Sequence, residues 1–381
     1  MSIYFDNNST TRPCERAINA VSDCLREVYA NPSSIHTPGK AAGAKLAEFR
    51  GEVAASIGAK EAEILFVASG SEANNTCIKG FCRAASGGKK KHIITTAIEH
   101  PSVLRSFEQL RGEGFEVTYL PVDENGFVRP ETLVGAVRED TLLVSIGHAN
   151  NEIGTIQDIR ALRALVPNVV FHTDAVQSYK KVPFDVRENN VDLASFSGHK
   201  IHAPKGVAFL YKREGVNIEP VISGGAQEFG LRAGTENLAY IAGLAAAIAD
   251  MDETDVEKIR SLQKRLLAGL REFDGVKING PEDLSRRNCT NVSVSFAGHE
   301  AEAIVKYMNA RDVYVSTRSA CSSNSKQVSH VLTAIGLGPQ YIHGTVRIGL
   351  SKFNTEAEVD TFLAYLKEYM DKNKPYPIQV I

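Results

Sequence analysis

No stretch of this 381-residue chain approaches the ~20 apolar residues that a membrane-spanning helix needs. The opening run Met1-Ser-Ile-Tyr-Phe-Asp6 has no leader pattern, so a soluble cytoplasmic protein is expected. An excess of one charge is missing too. The 43 Lys and Arg against 45 Asp and Glu leave a formal net charge of −2, which gives neither nucleic acid nor an anionic membrane surface a reason to be the main partner. Lys89-Lys-Lys91, after Gly87-Gly88, is the one basic run and reads as a solvated turn. The six cysteines (Cys14, Cys24, Cys77, Cys82, Cys289 and Cys321) contain no C-x-x-C pair and no metal-ligand spacing. No metal site is expected, and cytosolic thiols stay reduced. Cys24 and Cys77 lie in helical patterns and read as small core residues. Asn8, Asn74, Asn288 and Asn291 match the Asn-x-Ser/Thr glycosylation pattern, which has no meaning without secretion. Internal repeats and low-complexity segments are absent as well.

What the chain does have is alternation. Ala17, Ile18, Val21, Leu25 and Val28 follow helical spacing after Pro13, a suitable first-turn residue. Short apolar runs at 64–67, 92–95, 117–120, 142–146, 169–171, 193–196 and 207–210 are mostly separated by helical stretches. This predicts an α/β fold with a mainly parallel sheet and helices on both faces. A long helical pattern from about Gly234 to Phe273 is interrupted at Asp250-Met-Asp-Glu-Thr-Asp255 and bridges to a second unit. There Asn291–Phe296 alternates as a half-buried strand. Helices at about Glu300–Met308 and Val328–Ile335, a strand at Val346–Leu350, a helix from Glu356 and a tail at Pro375-Tyr-Pro-Ile-Gln379 complete an α+β unit. At this length two domains are expected: 14–256 as a large domain, and 1–13 with 257–381 as a small one.

Two apolar runs end in polar residues: Phe171-His-Thr-Asp-Ala-Val-Gln177 and Ser195-Phe-Ser-Gly-His-Lys200. Neighbouring parallel strands would deliver Asp174 and Lys200 to one site at their C-terminal ends. A lysine and a carboxylate are what pyridoxal phosphate requires, one for its Schiff base and one for its pyridinium nitrogen. Ala68–Asn75 follows a strand and opens a helix, so Gly70 permits a tight turn, and amides there with Ser71 suit a phosphate or merely cap the helix. His100, in Ile98-Glu-His-Pro101, stands between a strand and a helix, where it could stack on a ring, shuttle protons or be structural. Asn150-Asn-Glu-Ile-Gly154 offers amides or a turn, and Arg232–Asn237, with Thr235, is a polar loop before a helix. Arg347 lies inside a strand, where binding a substrate carboxylate or an internal salt bridge would each account for it. Cys321, in Ser316-Thr-Arg-Ser-Ala-Cys-Ser-Ser323, is either an incidental loop thiol or a nucleophile that Arg318 helps to ionise.

Together with Tyr4–Thr11 and Asn31-Pro-Ser-Ser-Ile-His36, these segments resemble the cysteine desulfurases over nearly the whole chain, in the branch with a Ser-Ala-Cys loop. The resemblance implies the fold of type I pyridoxal-phosphate transferases, with a large domain built on a mainly parallel mixed sheet and a smaller α+β domain carrying the catalytic loop, about 316–327. It implies L-cysteine as substrate, L-alanine as product and a persulfide on Cys321, passed to a sulfur-acceptor protein for iron–sulfur clusters or for thiolation of tRNA and cofactors. Lys200 would hold the cofactor and move the Cα proton, Asp174 would pair with its ring nitrogen, Gln177 would touch its ring oxygen and His100 would stack on it. Gly70, Ser71, Ser197 and His199 would hold the phosphate, with Thr235 reaching the site of the other subunit of a homodimer. Asn151, also near the cofactor, and Arg347 would bind the substrate carboxylate. Arg318 stands where that branch usually has glycine, and relatives often continue further beyond the last helix. A lyase acting on selenocysteine or cystine, an aminotransferase and a non-catalytic binding platform are the alternatives. Cys321 argues against the aminotransferase, and Lys200, Asp174, His100 and Cys321 together argue against the platform.

Overall fold

The computed structural model describes residues 2–85, 87–88, 91–317 and 328–375. A two-residue strand, β1 (Ile3–Tyr4), opens the chain. Seven strands follow: β2 (Ile64–Val67), β3 (His92–Thr96), β4 (Glu116–Leu120), β5 (Thr141–Ser145), β6 (Val170–Asp174), β7 (Leu193–Ser197) and β8 (Ala208–Lys212). They form one sheet in the order β2-β8-β7-β6-β5-β3-β4. The pairs from β7 through β4 are parallel, and β8 runs antiparallel to β7 and β2. Parallel strands need helical crossovers, so both faces are covered: β7 is buried at every position and β6 at its three middle ones. Polar residues inside that sheet are paired sideways. The imidazole of His172 lies between the hydroxyls of Ser145 (2.8 Å) and Ser195 (3.0 Å), and burial pushes its pKa down to about 3.

The long helical pattern breaks where the acidic stretch predicted. One helix runs Leu238–Asp250 and the next Glu253–Leu270, with Asp252 capping the second through Thr254 and Asp255. Beyond them β9 (Val276–Asn279), β10 (Asn291–Phe296), β11 (Val313–Tyr314) and β12 (Thr345–Gly349) complete the strands. β10 is central in an antiparallel sheet β12-β10-β9, and β11 pairs in parallel with β1.

Three expectations are corrected. Asn291–Phe296 is buried at every position rather than half-buried, because its polar face meets other polar groups instead of water. Asn279 donates to Ser293 and Ser295, and Asn291 donates to the carbonyl of Glu152 at 3.2 Å. The helix Glu15–Glu27 forms as its periodicity predicts, but Ile18 and Leu25 are exposed (43% and 61%), and Ala17 and Cys24 are its buried residues. The helical segment near 330 is also shorter, His330–Ala334, because Ser329 caps it through the amides of Val331 and Leu332.

The two sheets are joined chiefly through main-chain atoms. The fully buried guanidinium of Arg287 donates to the carbonyls of Pro281 (2.8 Å), Asn279 (2.6 Å) and Ile153 (3.3 Å), and burial lowers its pKa to about 10. Asn288 donates to the carbonyls of Gly154 and Gln177, each at 2.8 Å. Gly280, at φ +80, passes so close to Ile153 that a Cβ would collide with its carbonyl.

A buried ion pair supports the sheet edge. Arg50 grips Glu228 with two bonds of 2.7 Å, and Glu228 also accepts from the amide of Phe66 at 2.8 Å. Glu228 and Phe229 both have positive φ (45 and 59), and the Arg50 guanidinium stacks on Phe66 and on the largely exposed Phe229.

Candidate active site

The C-terminal ends of β5, β6 and β7 open onto a cavity of about 190 Å³. Asp174 is the last residue of β6, and Lys200 ends the short turn Gly198–Lys200 that follows β7. Those strands are parallel neighbours, with Asp174 opposite Ser195. The Lys200 ammonium, itself buried, donates to the carbonyls of Asn8 (2.6 Å) and Ser9 (2.7 Å). One oxygen of Asp174 accepts from the amide of Val176 at 3.0 Å, and the other from Asn74 Nδ2 at 2.7 Å.

Gly70, Ser71, His100, Asn151, Asp174, Gln177, Ser197, His199, Lys200 and Arg347 all line this one cavity. Thr235 does not. It is exposed in the loop before Leu238–Asp250, and Arg232 of the same loop pairs with Glu72 at 2.8 Å. Cys321 and its neighbour Arg318 lie outside the described residues.

At one end of the cavity the helix begins at Gly70, with Ser69 as its cap. A Cβ at Gly70 would stand 2.9 Å from Val176 Cγ2 and 3.3 Å from the Ser197 side chain, so glycine is what lets the helix start against the ends of β6 and β7. The helix continues through a π-turn, Thr76–Gly80. His199 is held there by Thr10, and burial and then the Lys200 charge push its pKa down to about 3, so it is a neutral imidazole.

At the other end Arg347 has both carboxylate and neutral partners. Its guanidinium donates to Asp6 (3.1 Å), to the Ser9 hydroxyl (2.5 Å) and to the carbonyl of Asn151 (3.2 Å), while its Nε is buried without a partner among the described residues. The salt-bridge reading therefore holds for the chain alone, and the cavity position keeps a carboxylate ligand within the guanidinium's reach.

Three polar residues in this wall lie inside segments that the sequence singles out but were given no role of their own. Asn8 falls within Tyr4–Thr11 and Asn74 within Ala68–Asn75, and both are buried and line the cavity. Glu99 is buried under the amide of Gly147 (2.9 Å) and the hydroxyl of Thr96 (2.8 Å); burial raises its pKa to about 7 against those two bonds, and the Asp174 charge adds to the rise. A carboxyl with a folded pKa above its unfolded value contributes stability that is complete below the unfolded pKa and is lost as pH rises through about 7. Glu99→Gln should therefore gain stability relative to the parent between pH 5 and pH 8. Urea midpoints at the two pH values measure this, and a difference that does not change with pH would refute it.

The donor set suits a group bearing an aldehyde, a basic ring nitrogen and a phosphate. An amine and a carboxylate stand on adjacent strand ends, hydroxyls and amides gather at Ser69–Ser71 and Ser197, and Gln177 Oε1 is buried with no partner among the described residues while its Nε2 donates to the carbonyl of Asn8. Residues 3–362 match the family model for class-V aminotransferases. The chain is 43% identical to the cysteine desulfurase IscS of Methanosarcina thermophila over 97% of its own length and 92% of that protein's. Among solved structures it is similar to a NifS-like protein (TM-score 0.92, 39% identity, 98% and 100% of the two chains). It is also similar to SspA in complex with cysteine (TM-score 0.82, 32% identity, 93% and 100%).

Proposed function

The chain belongs to the class-V aminotransferase family and, within it, to the cysteine desulfurases, and from that premise we propose that it moves the sulfur of L-cysteine onto Cys321 and releases L-alanine. The observation that carries this reading is the meeting of the Lys200 amine and the Asp174 carboxylate in one cavity. Pyridoxal phosphate is the family's cofactor. Lys200 would hold its aldehyde, Asp174 its ring nitrogen, Gln177 its ring oxygen, and Gly70, Ser71, Ser197 and His199 its phosphate. Bound there, it supplies an electron sink for the pair left when the substrate's Cα proton departs.

The residues divide the remaining work. Arg347 and Asn151 orient the substrate carboxylate, which competes with Asp6 for the guanidinium. Lys200 carries the Cα proton, and His100, neutral because burial lowers its pKa, assists the transfers. The Cys321 thiolate attacks the substrate sulfur: an S–S bond forms, the C–S bond breaks, and its electron pair is protonated on carbon to leave alanine. Ser316 exchanges main-chain bonds of 3.1 and 2.7 Å with Arg347 in the cavity wall.

The same reading gives a large domain at 14–256, a small one from 1–13 and 257–381, and a homodimer in which Thr235 serves the other subunit's phosphate. Ile18 and Leu25, seven residues apart on one helix and so on one of its faces, are both exposed, which supports a partnered face. The acceptor is an iron–sulfur scaffold or a tRNA-thiolation protein in the cytoplasm. No helix among the described residues is long and apolar enough to cross a membrane.

Alanine release from L-cysteine with added reductant, compared between the parent and Cys321→Ser, tests the proposal. Alanine from the parent and a loss of at least about 10²-fold in the variant are expected. Equal release from both would remove Cys321 from the reaction.

A further inference from the structure

We propose that Asn74 and Ser102 are positioning residues that transmit the carboxylate of Asp174 to His100 and so fix which of its ring nitrogens carries the proton. The chain of contacts is short. Asn74 Nδ2 stands 2.7 Å from Asp174 Oδ2 and 2.9 Å from Ser102 Oγ, and Ser102 Oγ stands 2.7 Å from His100 Nδ1.

Each bond has one allowed direction. An ionised carboxylate only accepts, so the amide nitrogen of Asn74, not its oxygen, must face Asp174. Its second N–H then points at Ser102 Oγ. The main-chain amide of Ser102, which can only donate, reaches His100 Nδ1 at 3.1 Å, so that nitrogen accepts and the Ser102 hydroxyl directs its own hydrogen to it. Nδ1 is thus an acceptor twice over, and a neutral His100 must keep its proton on Nε2.

The arrangement has a cost that an ordinary helix cap would avoid. Asn74 is almost wholly buried (1% exposed), and its Oδ1 has no hydrogen-bond partner among the described residues. Turning the amide over would relieve that oxygen only by setting it against the Asp174 carboxylate. The π-turn Thr76–Gly80 directly follows Asn75 and shifts the helical register just past this residue. Pro101 starts the helix that carries Ser102, so the serine is held two residues from the histidine it orients.

The consequence is a proton donor rather than an acceptor at Nε2, which makes no hydrogen bond within the described chain. Its proton is available to a reacting atom in the cavity, while Asp174 keeps its negative charge for the ring nitrogen. This rests on the role given to His100 above, and the two readings fail differently, since the tautomer can be measured without turnover.

The experiment is nitrogen-15 NMR of histidine-labelled protein, with and without bound cofactor, on the parent, Ser102→Ala, Ser102→Thr and Asn74→Ala. His100 in the parent should show a protonated Nε2 and an unprotonated Nδ1. Ser102→Ala and Asn74→Ala should raise the Nδ1-protonated fraction at least threefold and lower kcat for alanine release about fivefold to tenfold with KM within twofold. Ser102→Thr, which keeps the hydroxyl, should restore both. Should Asn74→Ala fail to fold, the two Ser102 variants decide alone. An unchanged tautomer in folded Ser102→Ala, or a parent histidine protonated on Nδ1, overturns the proposal. An altered tautomer with undiminished turnover overturns the part that concerns the reaction.

Discussion

Lys200→Ala should form alanine from L-cysteine at less than about a thousandth of the parent rate, since general acid–base work by one side chain is commonly worth 10²–10⁴-fold and this residue also has the cofactor to hold. The structural argument is the company that Lys200 keeps. It is buried in the turn that follows β7, its ammonium rests on the carbonyls of Asn8 and Ser9, and Asp174 and His100 line the same cavity. Alanine at this position leaves those two carbonyls to water in an already open cavity, so folding should be little affected. The variant should melt close to the parent and lose bound cofactor on gel filtration. Alanine release within tenfold of the parent would mean that another group moves the Cα proton.

The largest loss of stability is expected at Glu228. Removing one member of a buried ion pair strands the other, at a typical cost of about 3–5 kcal/mol. In Glu228→Ala the Arg50 guanidinium loses both its 2.7 Å bonds, and the amide of Phe66 loses its acceptor. The strained turn at Glu228 and Phe229 loses its anchor at the same time. A paired replacement, Arg50→Met with Glu228→Leu, leaves no orphaned charge and should recover part of the loss, although the Phe66 amide still lacks an acceptor. Denaturant unfolding of the three proteins measures both effects. A single variant destabilised by less than about 1 kcal/mol, the level of an exposed pair, would show that water reaches Arg50 once Glu228 is gone.

How much of this could be read in advance differs by residue. Asp174 and Lys200 were legible because each ends an apolar run, and a parallel strand has one end at which polar groups can gather. Gly70 and Ser71 were legible as a strand-to-helix junction. Asn8, Asn74 and Ser102 were not, because their work depends on partners about 30 to 190 positions away, and a buried asparagine has the same local sequence as an exposed one. The Asn291–Phe296 strand was misread for a related reason. Alternation distinguishes polar from apolar faces, but it cannot tell a face turned to water from one turned to the carbonyls of residues 151–152. Ile18 and Leu25 show the converse: helical spacing was right, and the apolar side it marked is exposed in the single chain.

The Arg287 junction bears on how this protein can change over generations. Its guanidinium donates to three main-chain carbonyls and, among the described residues, to no side chain, so neighbouring residues are free to drift while their backbone keeps its course. The arginine itself has no such latitude. An ordinary salt bridge that is damaged on one side can be repaired by a compensating substitution on the other. Here there is no second side chain to alter, so a lost Arg287 should yield few second-site suppressors, and reversion should dominate any selection for recovery.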